Sequence, residues 1–133
     1  MAFPVDSNWI DEAENDLGVA FPPLYRAQLR KMNGGFTDLE GEFIQVHPVF
    51  DRSSRKRLSR TSRHVVLITR EARENETFPQ NGVVVATVET DHLFLLPDDS
   101  GELGPKLYRW FMRGGFVEPF HEDCGEFLEE LPY

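Results

Sequence analysis

The first apolar positions of the chain follow a helical period. Ile10, Ala13 and Leu17 recur at intervals of three and four residues, and most positions between them are acidic. This spacing places the three apolar side chains on one face of an α-helix. Gly18 can then end the helix, because glycine adopts the left-handed conformation at little cost. The pattern therefore predicts a helix over residues 7–17.

A second helix is predicted after a short link. The Pro22-Pro23 pair suits a first helical turn, because proline lacks the amide hydrogen that a helix start leaves unused. Apolar residues continue at helical spacing to Met32, and the glycines after Asn33 end the segment. Two short helices joined this tightly predict a helical hairpin at the start of the chain.

The middle of the chain is less regular. An apolar run over residues 43–49 predicts a strand that Pro48 confines to an edge or terminates. Residues 51–63 are rich in Arg and Ser and contain Leu58 as their one apolar residue, which predicts a loop or a loosely held surface segment. Residues 64–76 fit either a strand or a helix, and the helix is favoured because strong helix formers end the segment.

From Gly82 onward, short apolar runs alternate with turn residues. Runs at 83–88 and 93–96 are separated by four residues, so they predict an antiparallel hairpin of largely buried strands. An alternating segment at 106–112 predicts a further strand, after which glycines turn the chain into residues 116–120. The second half of the chain therefore predicts a meander.

The last segment predicts a closing helix. Asp123 and Glu126 form a capping box, and Phe127, Leu128 and Leu131 would face inward. Helices, then antiparallel strands, then a helix is the order of an α+β fold. We predict one domain over residues 1–133, with an N-terminal helical hairpin and a C-terminal helix packed on a mostly antiparallel sheet. The hairpin is expected to pack four residues on the sheet: Leu17, Phe21, Leu24 and Leu29.

Several of these segments together resemble one known family. The opening reads Ile10-x-x-Ala13-Glu14-x-x-Leu17-Gly18-Val19-x-Phe21-Pro22-x-x-Tyr25-x-x-x-Leu29 and ends in Asn33-Gly34-Gly35. Later segments are Phe78-Pro79, the Leu-rich strand 93–96, the aromatic strand Leu107–Trp110 and Glu126-Phe127-Leu128. In this order they resemble the SUKH superfamily, the Smi/Knr-type domain, over essentially the whole chain.

The resemblance implies an α+β domain that binds other proteins. Many bacterial members are immunity proteins that neutralise toxins, often nucleases, and fungal relatives regulate cell-wall synthesis. The matching residues determine the fold and supply no catalytic set, so we predict neither an enzyme nor a cofactor. The chain has Thr90-Asp91 in the central hairpin turn where the family commonly has Gly-Asp, and Phe111-Met112 where it often has Asp-His.

Charge is distributed unevenly along the chain. The formal net charge of −9 divides into −5 over residues 1–50, +6 over 51–73 and −10 over 74–133. An acidic protein repels nucleic acid and anionic lipid and attracts a basic partner. No apolar run approaches the roughly 18 residues of a membrane span, and the first residues lack the pattern of a signal peptide. We therefore expect a cytoplasmic protein with a protein partner and no membrane association.

Acidic side chains are the candidate partner-binding groups. Loop tips concentrate binding groups because a rigid sheet can position them. The candidates in the meander are Asp91, Asp98, Asp99 and Glu102, and a second set on the first helix is Asp11, Glu12 and Asp16. The alternative for the meander set is that its members are solvated turn residues.

Other chemistry-bearing residues have structural interpretations. Tyr108 and Trp110 lie two positions apart on one strand, so they share a face, and Arg109 lies on the other face. The family resemblance implies that the aromatic face is core. The four histidines show no metal-binding spacing. Cys124 and its acidic neighbours suit a helix start better than a metal site, so no metal is predicted.

The Arg-rich segment 52–63 has three interpretations. It can bind phosphates, it can be phosphorylated at its Ser and Thr residues, or it can be a mobile basic loop that lies across the acidic remainder of the domain. The mobile loop is favoured because the segment contains no aromatic residue and the chain is acidic overall.

Three functions therefore compete. The leading hypothesis is an immunity or antitoxin-like module that occludes a basic toxin, such as a nuclease. The alternative is a regulatory scaffold related to cell-wall regulators. Nucleic-acid binding through residues 52–63 is the third.

Overall fold

The structure is a computed structural model that describes residues 3–39 and 41–124. The chain folds as predicted into an α+β domain in which helices lie on a six-stranded antiparallel sheet. In chain order the elements are α1 (Ser7–Leu17), α2 (Pro23–Lys31), β1 (Gly35–Leu39), β2 (Glu42–Val46), α3 (Arg55–Arg60), α4 (Val65–Arg73), β3 (Val83–Val88), β4 (Asp91–Leu95), β5 (Leu107–Trp110) and β6 (Val117–His121).

The six strands form one sheet whose spatial order is the chain order. Every neighbouring pair is antiparallel, which confirms the predicted meander. Val88 pairs with Asp91, so only Glu89 and Thr90 connect β3 to β4. Glu89 has a φ of 55° and begins this turn. The turn therefore lies one residue earlier than the Thr90-Asp91 pair suggested, and Asp91 is the first residue of β4.

The predicted helical hairpin, α1 and α2, covers one face of the sheet. Ile10 of α1 and Leu29 of α2 pack into one buried cluster with Ile44, Leu93 and Leu107 of the sheet. These apolar side chains leave water together, and their burial is the main force that holds the helices on the sheet.

The predicted contact residues of the hairpin are confirmed in three cases of four. Phe21 and Leu29 are buried, and Leu17 packs partly buried against the same cluster. Leu24 was predicted wrongly, because it is 53% exposed. Tyr25 and Leu29 stand four residues apart and take the inward direction of α2, so Leu24 points about 100° away from it.

α4 covers part of the opposite face, and its helical conformation is as predicted. Ile68 and Ala72, four residues apart, pack with Val84, Phe94 and Trp110 in a second buried cluster. Because helices cover both faces of β3 and β4, both strands are buried along nearly their whole length instead of on alternate residues only.

Two segments in the middle differ from the prediction. The strand expected at 43–49 is β2, which ends at Val46, and the sequence interpretation missed its partner β1. The expected loop at 51–63 contains α3. The Ser54 Oγ caps α3 by accepting a hydrogen bond from the Arg57 amide at 3.1 Å. No residue of α3 is buried, so its sequence carries no apolar period that could have revealed it.

The closing helix predicted after Asp123, with Phe127, Leu128 and Leu131, falls in residues 125–133, outside the described part of the chain. Within 3–39 and 41–124, no helix combines the length and the apolar character needed to cross a membrane.

Candidate partner-binding surface

The loop between β4 and β5 forms a tight acidic turn around Asp98. Its Oδ1 accepts hydrogen bonds from the Ser100 amide at 2.8 Å, the Ser100 Oγ at 2.6 Å and the Glu102 amide at 3.2 Å. These hydrogen bonds, that from the Ser100 hydroxyl first, hold the pKa of the Asp98 carboxyl below its ordinary value. Asp98 therefore shapes the turn and remains charged at neutral pH.

This turn is attached to the link between α1 and α2. The Ala20 amide donates to the Gly101 carbonyl at 3.1 Å, and the Leu103 amide donates to the Ala20 carbonyl at 2.8 Å. Leu103 itself is buried in the cluster beneath α1 and α2. We name residues 98–102 the acidic turn; its backbone is anchored at both the sheet and the helical hairpin.

The carboxylates of the acidic turn have no cationic partner in the described part of the chain. Asp98 and Asp99 are exposed and Glu102 is half-buried. The Oδ1 of Asp98 holds the turn together, so Asp99 and Glu102 are the members whose carboxylates can meet an external cation, or be substituted, without disturbing the local backbone.

Most of the acidic residues predicted on α1 are already neutralised within the domain. Asp11 and Glu14 both bind Arg26 of α2, with 2.9 Å between the Arg26 Nη2 and the Asp11 Oδ1. Glu12 receives two hydrogen bonds of 2.8 Å from Arg52. The Arg52 guanidinium holds the pKa of the Glu12 carboxyl below its ordinary value. These pairs hold α1 against α2 and the segment after β2.

Asp16, the third predicted residue of α1, is exposed. It lines a shallow cleft of about 70 Å³ with Trp9, Arg52 and His64. Arg52 in the same cleft stacks 4.7 Å above the Trp9 ring. Asp16 therefore lies in the same cleft as the positive charge of Arg52, whereas the carboxylates of the acidic turn have no cationic partner among the described residues.

Asp91 was predicted as an exposed turn residue, and the structure corrects this. Its side chain is 11% exposed, and its Oδ2 accepts hydrogen bonds from Arg109 at 3.0 and 2.7 Å. Arg109 also donates to both carboxylate oxygens of Glu42, at 2.8 and 2.9 Å. Asp91 lies at the start of β4 and the acidic turn follows its end, so the predicted cluster of four carboxylates is split across the sheet.

The predicted division of strand β5 between core and charge is confirmed. Trp110 is buried, and Tyr108 packs partly buried against the same cluster. The Tyr108 ring stacks on the Phe94 ring, with 5.6 Å between the ring centres. Arg109 points to the other face, where it meets Asp91.

The Arg-rich segment contains the helix α3 and forms ion pairs with the rest of the domain, where a loop was predicted. Arg63 forms a double hydrogen bond with Glu71, at 3.1 and 3.2 Å, and Arg52 pairs with Glu12 as described above. The predicted loop is therefore wrong in conformation, although these two arginines do lie against acidic residues of the same domain. Three further cations, Lys56, Arg57 and Arg60, surround the ring of Phe3.

The remaining titratable residues are placed for structure. His47, just after β2, and His92 on β4 both contact the hydroxyl of Thr87 on β3, at 2.6 and 3.2 Å. Burial raises the pKa of the Cys124 thiol to about 12, whereas a helix start alone would have lowered it. In residues 3–39 and 41–124, no three His, Cys, Asp or Glu side chains are grouped so that they could hold a metal ion.

The fold and this surface define a class of protein: an α+β domain that presents charged groups on a turn fixed by a sheet and a helical hairpin. The chain belongs to the SMI1/KNR4 family (SUKH-1), whose model matches residues 4–130. Proteins of this family are generally non-catalytic immunity or regulator proteins and typically bind other proteins. No curated protein matches the chain.

Proposed function

We propose that this protein is a toxin-immunity module that binds a basic toxin domain through the acidic turn and blocks it. The observation that carries the proposal is the unpaired state of the Asp99 and Glu102 carboxylates within the described residues, on a backbone anchored to Ala20. Most acidic residues of α1, by contrast, already form ion pairs with Arg26 or Arg52.

The chemistry of a nuclease toxin supports this choice of partner. An enzyme that holds a phosphodiester backbone needs a basic groove, and a rigid acidic turn can occupy such a groove in place of the substrate. The protein's net charge of −9 would speed the encounter with such a partner. Because immunity requires contact with the toxin inside the cell, the proposal includes a cytoplasmic location, which cell fractionation tests.

The test is co-expression with a toxin domain, sought first in the product of the neighbouring gene. The wild-type protein should restore growth and co-purify with the toxin domain. The double substitution Asp99→Lys and Glu102→Lys should slow association at least about tenfold at low ionic strength, and the difference should shrink as salt is added. Binding kinetics by interferometry provide the measurement.

A matched control keeps the net charge equal. Glu76 and Glu118 are exposed acids outside the acidic turn, so Glu76→Lys with Glu118→Lys changes the net charge by the same amount. The control should bind nearly as fast as the wild type. Equal slowing of both double variants would show that only overall charge matters, and wild-type kinetics for the acidic-turn variant would refute the assigned surface. Failure of the wild type to bind or protect would favour the regulatory-scaffold alternative.

A further inference from the structure

A cavity of about 320 Å³ opens beside α3. Its lining residues fall between Phe3 and Thr61 and include none of the acidic turn. It lies between the first residues of the chain, the β1–β2 hairpin and α3. Phe3, Phe36, Val46 and Pro48 supply apolar wall. Arg57 and Arg60 supply cationic wall, and with the buried Asp51 as its one acidic residue the wall keeps a net positive charge. The cavity therefore suits a ligand that is both apolar and negatively charged.

The cations at this cavity are held together by an aromatic ring. The charged groups of Lys56, Arg57 and Arg60 lie 5.5, 4.6 and 5.0 Å from the Phe3 ring centre. The negative face of the ring attracts each cation and offsets part of their mutual repulsion. The result is a concentration of positive charge on a protein whose net charge is −9.

The polar side chains of the cavity wall differ in how many hydrogen bonds they form within the domain. The Asn33 side chain donates to and accepts from the backbone of Val49, at 3.0 and 2.9 Å. The buried Asp51 carboxylate forms an ion pair with Arg57, with 3.8 Å between the Asp51 Oδ2 and the Arg57 Nε, which is too long for a hydrogen bond. In the described part of the chain, the terminal nitrogens of Arg57 have no hydrogen-bond acceptor.

An exposed sheet edge borders the cavity. β1 is the first strand of the sheet and pairs only with β2 among the described strands. Gly35 and Phe36 belong both to β1 and to the cavity wall. Phe36 stacks on Phe43 with 5.3 Å between ring centres, and the two residues are 39% and 58% exposed. Stacked phenylalanines in water at a sheet edge provide an apolar surface for an added chain.

We propose that this surface binds an extended acidic peptide of a partner protein, which adds a strand to β1. The peptide backbone would pair with the outer edge of β1, one acidic side chain would meet the Arg57 guanidinium, and an apolar side chain would cover Phe36. Strand addition of this kind derives affinity from main-chain hydrogen bonds and selectivity from side-chain pockets. A peptide fits better than a nucleic acid because only a polypeptide backbone can use the strand edge. This inference does not depend on the proposed function of the acidic turn.

The test uses the full-length protein and a defined probe. The probe is a fluorescein-labelled, acetylated peptide that repeats Glu-Ser-Phe-Ser three times, so that its acidic and aromatic side chains share one face of a strand. Anisotropy at low ionic strength measures its affinity. Arg57→Gln should weaken binding about tenfold, because a charge-assisted hydrogen bond is lost. Arg55→Gln removes the same charge from the same helix but not from the cavity wall, and should change binding little.

Two further measurements separate the peptide proposal from its rivals. Replacing the peptide's glutamates by glutamines should weaken its binding to the wild type, and Phe36→Ser should weaken the binding of the original peptide. Thermal unfolding checks that each variant is folded, and Arg60→Gln, which also changes the cavity wall, replaces Arg57→Gln should that variant unfold. No binding of the acidic peptide, or equal losses in the Arg55 and Arg57 variants, would overturn the proposal. Tighter, Arg57-dependent binding of a labelled oligothymidylate would instead assign the surface to nucleic acid.

Discussion

Substituting Asn for Asp91 removes the charge of a half-enclosed ion pair while keeping its shape. The Asp91 carboxylate receives two hydrogen bonds from Arg109, and its other oxygen accepts from the Met112 amide at 3.3 Å. The side chains of Asp91 and Arg109 are only 11% and 13% exposed. Little water can replace the lost charge, so we expect Asp91→Asn to destabilise the fold rather than the binding of a partner.

The size of the effect follows from what remains around Arg109. Breaking a fully buried pair costs about 3–5 kcal/mol, because the surviving charge is left without a partner. Here Arg109 keeps both hydrogen bonds to Glu42. We therefore expect a loss of about 2 kcal/mol in the free energy of unfolding, which corresponds to a fall in Tm of about 7 °C for a domain of this size.

Urea denaturation with an unchanged m-value measures this loss. Asp99→Asn makes the same chemical change on the exposed acidic turn and should stay within about 0.5 kcal/mol of the wild type. Arg109→Met strands two carboxylates and should cost more than Asp91→Asn. The double variant should show a coupling energy of at least about 1 kcal/mol. Additive costs, or an Asp91→Asn variant as stable as Asp99→Asn, would refute the assignment of Asp91 to the interior.

Three further predictions address the core, the helical hairpin and pH. Phe21→Ala should cost about 3–4 kcal/mol because Phe21 is 2% exposed, whereas Leu24→Ala on the exposed side of α2 should cost less than about 0.5 kcal/mol, both measured by urea unfolding. Arg26→Met removes both ion pairs between α2 and α1 and should lower stability by about 1 kcal/mol, an effect that Arg30→Met on the same helix should not reproduce. Burial lowers the pKa of His47 from 6.5 to about 4, so the unfolded chain takes up this proton first as pH falls. The stability present above pH 6.5 should then decline toward pH 4, by roughly 2 kcal/mol between pH 7.5 and pH 5, and a His47→Gln variant should show a smaller decline over that range.

The sequence indicated which residues carry charge but not which charges are paired. The partner of Asp91 on β5 is 18 residues away, Arg52 is 40 residues from Glu12, and Arg109 is 67 residues from Glu42. No local spacing reports such pairings, because they arise only when the sheet and helices bring distant segments together. The structure therefore reduced the predicted acidic candidates to the acidic turn and Asp16.

The limits of the fold prediction have the same origin. α1, α2 and α4 each bury one face, so their apolar periods were visible in the sequence. α3 buries no residue and is stabilised by the Ser54 cap and by contacts with Phe3 on a distant segment. β1 pairs with β2 through its backbone and leaves Phe36 exposed, so its side-chain pattern did not mark it as a strand.

By itself the sequence determined the order of the strands in the second half, the antiparallel hairpin of β3 and β4, and the family resemblance, because short turns and apolar periods are local properties. The tertiary structure alone decided that Asp91 is enclosed, that Arg52 is neutralised and that Asp99 and Glu102 have no cationic partner among the described residues. The physical reason is that the burial and pairing of a charge depend on everything packed around it, and most of those groups lie far away along the chain.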